Sequence, residues 1–397
     1  MPTIEELINP LRHESDAHKL AGQLQAMHNA SEDVVLPLRQ LSYSASGDGH
    51  LRLDPGADPI LTSDGVWDQP LNLRHTRNAW QQLSNRLGIP VKYLDRIGSR
   101  HPQLTRDTLT ALFSEEPDKR ATFRLLRGDD GHILRAIVSD KFAGEIDNWS
   151  MFDSVIQGLQ AADILAGDCH IEADLSPDRF RLRIAVPQIA IAAPDLLADY
   201  RTPFSMNPNA PVHARNPGGD APAPLIWAGL EISNSETGQG TAMIRPRAEV
   251  MICRNGLTRD VAFKRTHVGS RQENDGVIEW SSETNEALRQ LIRSQTADAV
   301  RTFCSTEYLE EMANEMREAK GRPINDIQGS VEVVRKAAEL TDDEVGSVLA
   351  CFTRSGDMTA LGMGQAVTAA AQLVEDGDRQ AELETKFWSI IANPALV

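Results

Sequence analysis

The segment 231–260, EISNSETGQGTAMIRPRAEVMICRNGLTRD, combines a polar, glycine-rich turn with a run of arginines. The turn residues are Asn234, Ser235, Glu236, Thr237 and Gly238. An arginine guanidinium group binds phosphate or carboxylate oxygens through two parallel hydrogen bonds, which a lysine ammonium group cannot do. Backbone N–H groups in a turn can also face an anion. The residue types in this segment therefore indicate anion binding.

Basic residues are concentrated around this segment, although the chain has a formal net charge of -17. Between residues 240 and 271 there are two acids and seven bases, namely Arg245, Arg247, Arg254, Arg259, Lys264, Arg265 and Arg271. Four arginines on other predicted strands extend this basic surface: Arg181, Arg183, Arg124 and Arg127. Residues 272–397, in contrast, hold 23 acids and 11 bases. Three kinds of partner fit the arginines: nucleic acid, the acidic groups of this chain or of another subunit, and a small anionic ligand.

Residues 242–253 have the alternating pattern of a β-strand with two different faces. The even positions are all apolar, whereas the odd positions include Arg245, Arg247 and Glu249. Because successive side chains of a strand point to opposite sides, one face suits a core and the other is mainly basic. Pro246 has no N–H group to donate to a sheet. We therefore expect this strand to lie at an edge or to be bulged at the proline.

The pattern of apolar residues and turn signals along the chain predicts an α+β fold. Its centre is an antiparallel β-sheet core with flanking helices, followed by a C-terminal helical region. We predict a mostly helical N-terminal region over 1–115, a β-rich core over 116–272 and an acidic helical region over 273–397. Alternating runs on either side of residues 128–131 predict a β-hairpin. A proline-rich excursion over 203–224 interrupts the core.

The bulk composition is that of an ordinary soluble globular protein, with 41% apolar and 24% charged residues. No apolar run is long enough to span a bilayer, and the first residues lack the basic and apolar pattern of a signal peptide. These features predict a cytoplasmic protein with no membrane partner. The four cysteines form no C-x-x-C pair, and no recognisable catalytic motif is present. We therefore predict no catalytic residues, no cofactor and no bound metal.

Three segments resemble the signatures of the phage/plasmid-like protein family, also described as domain of unknown function 932. GLEISNSETGQGTAMIRPRAEVMICRNGL is similar to its Asn-Ser-Glu-x-Gly and Cys-x-Asn-Gly signature. LRAIVSDKFAGEIDNWSMFDSV resembles a strand that ends in Ser-Asp-x-(Tyr/Phe) and precedes an Asp-Asn helix start. GMGQAVTAAAQLVED is similar to its C-terminal helix, although Gln365 replaces an asparagine and Ala369-Ala370 replace Glu-Tyr. The resemblance runs from about Leu87 to the end of the chain.

The resemblance implies a protein of a phage or plasmid that acts in recombination or replication. Strand order and a basic hairpin also suggest a distant likeness to ring-forming single-strand annealing proteins, which lay DNA along a basic groove. These two likenesses imply a non-catalytic, homo-oligomeric protein that binds or anneals single-stranded DNA, with a ring as one form of assembly. One alternative is an assembly or counter-defence protein of a mobile element that binds an acidic protein partner. A second alternative is a metal-dependent enzyme that uses Glu236 and Asp140.

Overall fold

The computed structural model of the protein describes residues 2–44, 50–54, 60–62, 65–67, 69–139, 146–197, 225–240, 242–250, 255–258, 263–265 and 282–396. The predicted excursion over 203–224 lies outside the described residues. The same is true of four residues that the sequence singles out: Asp140, Arg254, Arg259 and Arg271. The described part of the chain belongs to the α+β class, as predicted.

The strands and helices of the described residues alternate along the chain. The strands are β1 (Leu11–Glu14), β2 (Ser31–Pro37), β3 (Leu41–Tyr43), β4 (Leu51–Leu53), β5 (Ile60–Thr62), β6 (Gly65–Trp67), β7 (Leu71–His75), β8 (Arg120–Gly128), β9 (Gly131–Ser139), β10 (His170–Leu175), β11 (Phe180–Ala192), β12 (Leu225–Asn234), β13 (Ala242–Val250), β14 (Asn255–Thr258) and β15 (Phe263–Arg265). The helices are α1 (Ile4–Ile8), α2 (Ala17–Ala30), α3 (Arg77–Arg86), α4 (Val91–Arg100), α5 (Pro102–Glu115), α6 (Asn148–Ala161), α7 (Pro194–Leu197), α8 (Ser282–Phe303), α9 (Thr306–Lys320), α10 (Ile327–Ala337), α11 (Asp342–Ser355), α12 (Ala360–Ala371) and α13 (Gly377–Ile391). No helix of these described residues is long and apolar enough to cross a membrane.

Two sheets organise the fold. The large sheet is antiparallel with the strand order β1-β10-β11-β12-β13-β14, and β15 also pairs with β13. The small sheet has the order β2-β8-β9-β7-β4-β3 and is antiparallel except for the parallel pair β7 and β9. β8 and β9 form the hairpin that the sequence predicted. Among the described residues, β5 and β6 form a separate two-stranded sheet.

Strand pairing crosses the predicted boundary at residues 115 and 116. Strands β2 and β7 from the N-terminal region pair with β8 and β9 of the predicted core. β1 joins the edge of the large sheet beside β10. One apolar core extends from Ile4 to Leu396 and includes the C-terminal helices, whereas a smaller core lies between the small sheet and helices α3–α5. The N-terminal region therefore contributes strands to both sheets.

Strand β13 has the two faces that its sequence pattern predicted, but it is not an edge strand. Ala242, Ile244, Ala248 and Val250 are buried. β13 pairs with β12 along one side, and on its other side β15 pairs with residues 242–244 while β14 pairs with residues 247–250. Pro246 falls opposite the gap between those two short strands. A residue without an N–H group is tolerated there because none of the described strands faces it on that side.

Candidate functional site

The predicted basic face of the large sheet is a row of alternating charges. In the cross-strand register, Glu172 of β10 faces Arg183 of β11, which faces Glu231 of β12, which faces Arg245 of β13. The two ends of the row are joined by short contacts, since Arg183 Nη1 lies 2.8 Å from Glu172 Oε1 and Arg245 Nη1 lies 3.4 Å from Glu231 Oε1. Opposite charges on directly facing positions stabilise a sheet. The arginines of β11 and β13 thus have carboxylate partners on neighbouring strands.

Helix α13 covers this face and brings further acids to the arginines. Glu384 lies 2.6 Å from Arg247, and both side chains are almost completely buried. Asp378, in the first turn of α13, lies 3.4 Å from Arg181. These contacts agree with the alternative in which the arginines pair with acidic groups of this chain. Whether any of these arginines also binds nucleic acid stays a prediction.

Glu231 is the centre of the charge row and is 1% exposed. Its carboxylate lies within 4 Å of Arg181, Arg245 and Arg247. Burial opposes its ionisation, but the surrounding arginine charges outweigh burial and lower the pKa of Glu231. A lowered folded-state pKa means that the ionised group adds stability above the unfolded pKa of about 4.3, and that this contribution is lost as the pH falls through the folded value.

Arg124 and Arg127, two of the other predicted basic residues, lie in the small sheet and not on this face. Arg124, in the small sheet, is buried, and it binds the backbone carbonyl of Glu236 and the carboxylate of Asp33, the latter at 2.9 Å. Arg127 lies near the end of β8. Lys264 and Arg265 belong to β15, where the backbone pairs with β13. The prediction for Arg254, Arg259 and Arg271 falls outside the described residues.

The Asn-Ser-Glu-Thr-Gly turn is a buried junction between the two sheets. Ser235 and Thr237 both donate hydrogen bonds to the carbonyl of Asp178, in the turn between β10 and β11. Gln82 of α3 donates to the carbonyl of Thr237 at 2.7 Å. Gly238 has a φ of 78°, a left-handed conformation that favours glycine. The polar groups of the turn are thus used inside the protein.

Two of the segments that resemble family signatures meet at this turn. Glu236 accepts a hydrogen bond from the backbone N–H of Asn148 at 2.5 Å, at the start of α6. Asn234 donates to the side chain of Asn148 and to the carbonyl of Ile146, both at 2.9 Å. Asp147 caps α6 by accepting from the N–H of Ser150. These contacts join the Asn-Ser-Glu turn to the Asp-Asn helix start, so the two motifs share a structural role.

The contacts of the Glu236 carboxylate concern the alternative in which the protein is a metal-dependent enzyme. One carboxylate oxygen accepts from Asn148, and the other lies 2.7 Å from Arg135, which is almost fully buried. Both oxygens of Glu236 are therefore engaged with groups of the protein itself. Asp140 lies outside the described residues. In the part of the chain that the structure describes, no three His, Cys, Asp or Glu side chains are grouped to hold a metal ion.

His28 contacts Asp147, the N-cap residue of α6, at this junction. This contact predicts that the stability of the protein depends slightly on pH. His28 Nδ1 lies 3.3 Å from Asp147, and the hydrogen bond to that carboxylate raises the pKa of His28. A raised pKa adds stability below the unfolded value of about 6.5, and this stability is lost as the pH rises through the folded value. His28→Gln should therefore cost stability at pH 5.5 but little at pH 8, by at most about 1 kcal/mol for a half-exposed pair. Urea unfolding at both pH values checks this, with the exposed His18→Gln on the same helix as control.

A second basic surface lies on α4, and sequence reasoning missed it. Residues 71–106 contain seven bases, Arg74, Arg77, Arg86, Lys92, Arg96, Arg100 and Arg106, and Asp95 is their single acid. The net charge of +6 in 36 residues is greater than that of the arginine-rich segment described above. A running count of local charge would have found it.

Three of these bases form an exposed stripe. Lys92, Arg96 and Arg100 are spaced four residues apart on α4 and all are exposed. At 3.6 residues per turn, they fall within a sector of about 80° over a length of about 12 Å. None of the three makes an ion pair or side-chain hydrogen bond with another described residue, whereas Asp95 on the same helix is bound by Arg77 at 2.6 Å. We call these three residues the α4 stripe.

The opposite side of α4 holds the helix rigidly in the smaller core. Leu94 and Ile97 are buried there. Tyr43 of β3 donates a hydrogen bond to the carbonyl of Gly98 at 3.2 Å. The exposed side also presents Tyr93, which is 45% exposed and lies two helical turns before Arg100. The fold thus displays an aromatic ring and three unpaired cations on one fixed surface.

The fold and these two basic surfaces define an α+β protein with one buried and one exposed set of cations. Comparison with known protein families, curated proteins and solved structures finds no match for the chain. The resemblance to the phage/plasmid-like family thus depends on the quoted motifs alone. Annealing activity, a role in recombination or replication, and assembly into a homo-oligomeric ring are implied only by the likenesses and stay predictions.

Proposed function

We propose that the protein is a non-catalytic single-stranded nucleic-acid-binding protein that contacts the phosphate backbone through the α4 stripe. The observation that carries this proposal is the exposure of Lys92, Arg96 and Arg100 without an ion-pair partner among the described residues. In a chain of net charge -17, most surface cations are expected to pair with the abundant acids. Three adjacent cations that do not pair leave a local positive potential, and this potential attracts a polyanion.

The spacing of the three cations in the α4 stripe favours a strand of phosphates over a single compact anion as the ligand. Successive cations are separated by about 6 Å along the helix axis, and the three together extend about 12 Å. A compact anion reaches one or two of these groups, whereas successive phosphates of one strand can follow all three. Side chains of lysine and arginine are long enough to adjust to the backbone of a flexible strand. Binding of this kind reads charge and not base sequence.

The exposed ring of Tyr93 favours single-stranded over duplex nucleic acid as the ligand. Its ring is 45% exposed beside the stripe, so an unpaired base can stack on it. Such stacking contributes about 1–3 kcal/mol for each base and tolerates any sequence. In a duplex the bases are already stacked on each other and are not available to the ring. We therefore expect single strands to bind more tightly than duplexes of equal length.

Fluorescence anisotropy with a labelled single-stranded oligonucleotide tests the proposal. The triple change Lys92→Gln, Arg96→Gln and Arg100→Gln should weaken binding at least tenfold at low salt. It should also reduce the slope of log affinity against log salt by about 2, since each phosphate contact on a single strand contributes about 0.7. Tyr93→Ala should weaken single-strand binding while leaving the salt slope unchanged.

The matched control removes the same charge elsewhere on the surface. Arg289, Arg335 and Lys336 are exposed and each pairs with an acid on its own helix. Changing these three to glutamine should leave affinity and salt slope close to those of the wild type. The proposal is wrong if the wild type shows no binding at low salt, or if both triple variants weaken binding equally. Binding to an acidic protein without binding to oligonucleotides would favour the assembly alternative.

A further inference from the structure

A polar cavity of about 200 Å³ lies between the ends of β11–β13 and the first turns of α13. We infer that it is a binding site for a compact phosphate-type anion, either free phosphate or the terminal group of a small phosphate monoester. The cavity is distant in sequence from the α4 stripe and shares no residue with it. The inference therefore stands apart from nucleic-acid binding.

Guanidinium groups dominate the charged lining of the cavity. Arg181 and Arg245 are largely buried and extend from β11 and β13, while Arg179 is 38% exposed. Two acids, Asp378 and Glu382, also line the cavity. Guanidinium groups bind phosphate oxygens through parallel hydrogen bonds, although Arg181 also donates to the carbonyl of Gly377 and Arg245 also contacts the sulfur of Met243.

The acids near the cavity do not match the arginines one to one. Asp378 is shared by Arg179 at 3.1 Å and Arg181 at 3.4 Å. Behind the cavity Glu231 is shared by several arginines, as the charge row shows. Glu382 is held by Arg379 at 2.7 Å, on the other side of its helix turn. By count, the side chains that line the cavity include three arginines and two acids, one positive charge more than negative.

Neutral polar groups complete the lining and favour an anion that also carries a proton. Asn234 is 2% exposed, and its Oδ1 accepts no hydrogen bond from any described residue. Ser233 lines the cavity between Arg181 and Met243 in the strand register. Arg181 Nε is buried and donates no hydrogen bond within the described chain. A hydrogen phosphate ion can accept from the donors and donate to Asn234, whereas sulfate has no proton to donate at neutral pH.

The size of the cavity makes an occupant necessary. A polar cavity is filled by water or by a ligand, because its buried polar groups need hydrogen-bond partners. A space of about 200 Å³ holds several waters, or a phosphate-sized ion with some of them. An ion that matches the excess charge satisfies the lining better than water does.

Isothermal titration of the full chain with sodium phosphate at constant ionic strength tests the inference. We expect saturable binding of one phosphate, weaker binding of sulfate, and none of acetate. Glycerol phosphate distinguishes the sources, because it binds as well as phosphate only if the natural ligand is a monoester. An absence of saturable heat with both phosphate and glycerol phosphate overturns the inference whatever the variants do.

Ser233→Glu is the decisive variant because it places a carboxylate of the chain itself in the cavity. It should weaken phosphate binding at least tenfold while the thermal unfolding midpoint stays the same or rises. The milder change Arg179→Gln, at the exposed side, should weaken binding several-fold and covers the case in which Ser233→Glu does not fold. Arg317→Gln, which removes an exposed arginine on α9, should leave phosphate affinity unchanged. Equal phosphate affinity in the wild type and in folded Ser233→Glu or Arg179→Gln contradicts the inference.

Discussion

Arg247→Met is expected to lower the free energy of unfolding by about 3–5 kcal/mol, the usual cost of removing one partner of a buried ion pair. Arg247 is 5% exposed and lies 2.6 Å from Glu384, which is 2% exposed. It also lies 3.8 Å from Glu231. Its removal leaves Glu384 buried without a cation and takes one of three arginines from Glu231. Denaturation with urea, followed by circular dichroism, measures the loss as a lower midpoint concentration.

A second change in the same protein should restore most of this stability. The double variant Arg247→Met and Glu384→Leu replaces the pair by apolar groups of similar size, which is often neutral for buried ion pairs. We expect its unfolding free energy to lie within about 1–2 kcal/mol of the wild type. Arg335→Met removes an exposed arginine and serves as control, with an expected change below about 1 kcal/mol. A cost for Arg247→Met no greater than this control would show that the pair is not buried in solution.

The local features of the large sheet could be predicted from the sequence because they depend on neighbours in the chain. The alternation over 242–253 gave the apolar and charged faces of β13, and glycine and aspartate at 128–131 gave the hairpin of β8 and β9. Pro246 predicted an edge strand or a bulge, but β13 is paired on both sides and its register with β12 continues through Pro246. The two short strands that flank it on one side leave no clear pattern in the sequence.

The burial of the arginine face could not be predicted because its cover comes from far away in the chain. Arg247 and Glu384 are 137 residues apart, and the contact depends on how α13 packs on the large sheet. Sorting residues by odd and even position separates the two faces of a strand. It does not show whether the polar face contacts water or another polar element of the protein. The acidic composition of residues 272–397 was the available hint, and it left pairing with the chain itself as one of three alternatives.

The α4 stripe, in contrast, depends on local sequence and was open to prediction. The helix and its buried side follow from apolar spacing at Leu94 and Ile97, so the positions of Lys92, Arg96 and Arg100 on the other side also follow. What the sequence could not provide is that no described residue forms an ion pair with these three side chains. That requires the fold.

Glu236→Gln is expected to destabilise the protein by about 3 kcal/mol, because it leaves Arg135 buried without its carboxylate. Arg135 has 3% of its side chain exposed, and besides Glu236 it donates to the carbonyl of Pro177 at 2.9 Å. Glutamine keeps an oxygen that can accept a hydrogen bond from the N–H of Asn148. The stability lost in Glu236→Gln therefore reports the missing charge and not the contact with the start of α6. Urea unfolding of the wild type, both single variants and the double variant Arg135→Met with Glu236→Gln gives the coupling energy of the pair. We expect the double variant to be more stable than Glu236→Gln alone.

The same measurement separates a structural Glu236 from a catalytic one. A side chain kept for catalysis commonly costs stability, so its replacement leaves the free energy of unfolding unchanged or raises it. A side chain that joins two sheets and the start of α6 must lower it when replaced. If Glu236→Gln proves neutral or stabilising, the junction described here does not hold the sheets together, and the metal-dependent enzyme alternative gains support. If it destabilises and the double variant recovers, the Asn-Ser-Glu turn is a structural element, and sequence similarity at this turn reports the fold and not a reaction.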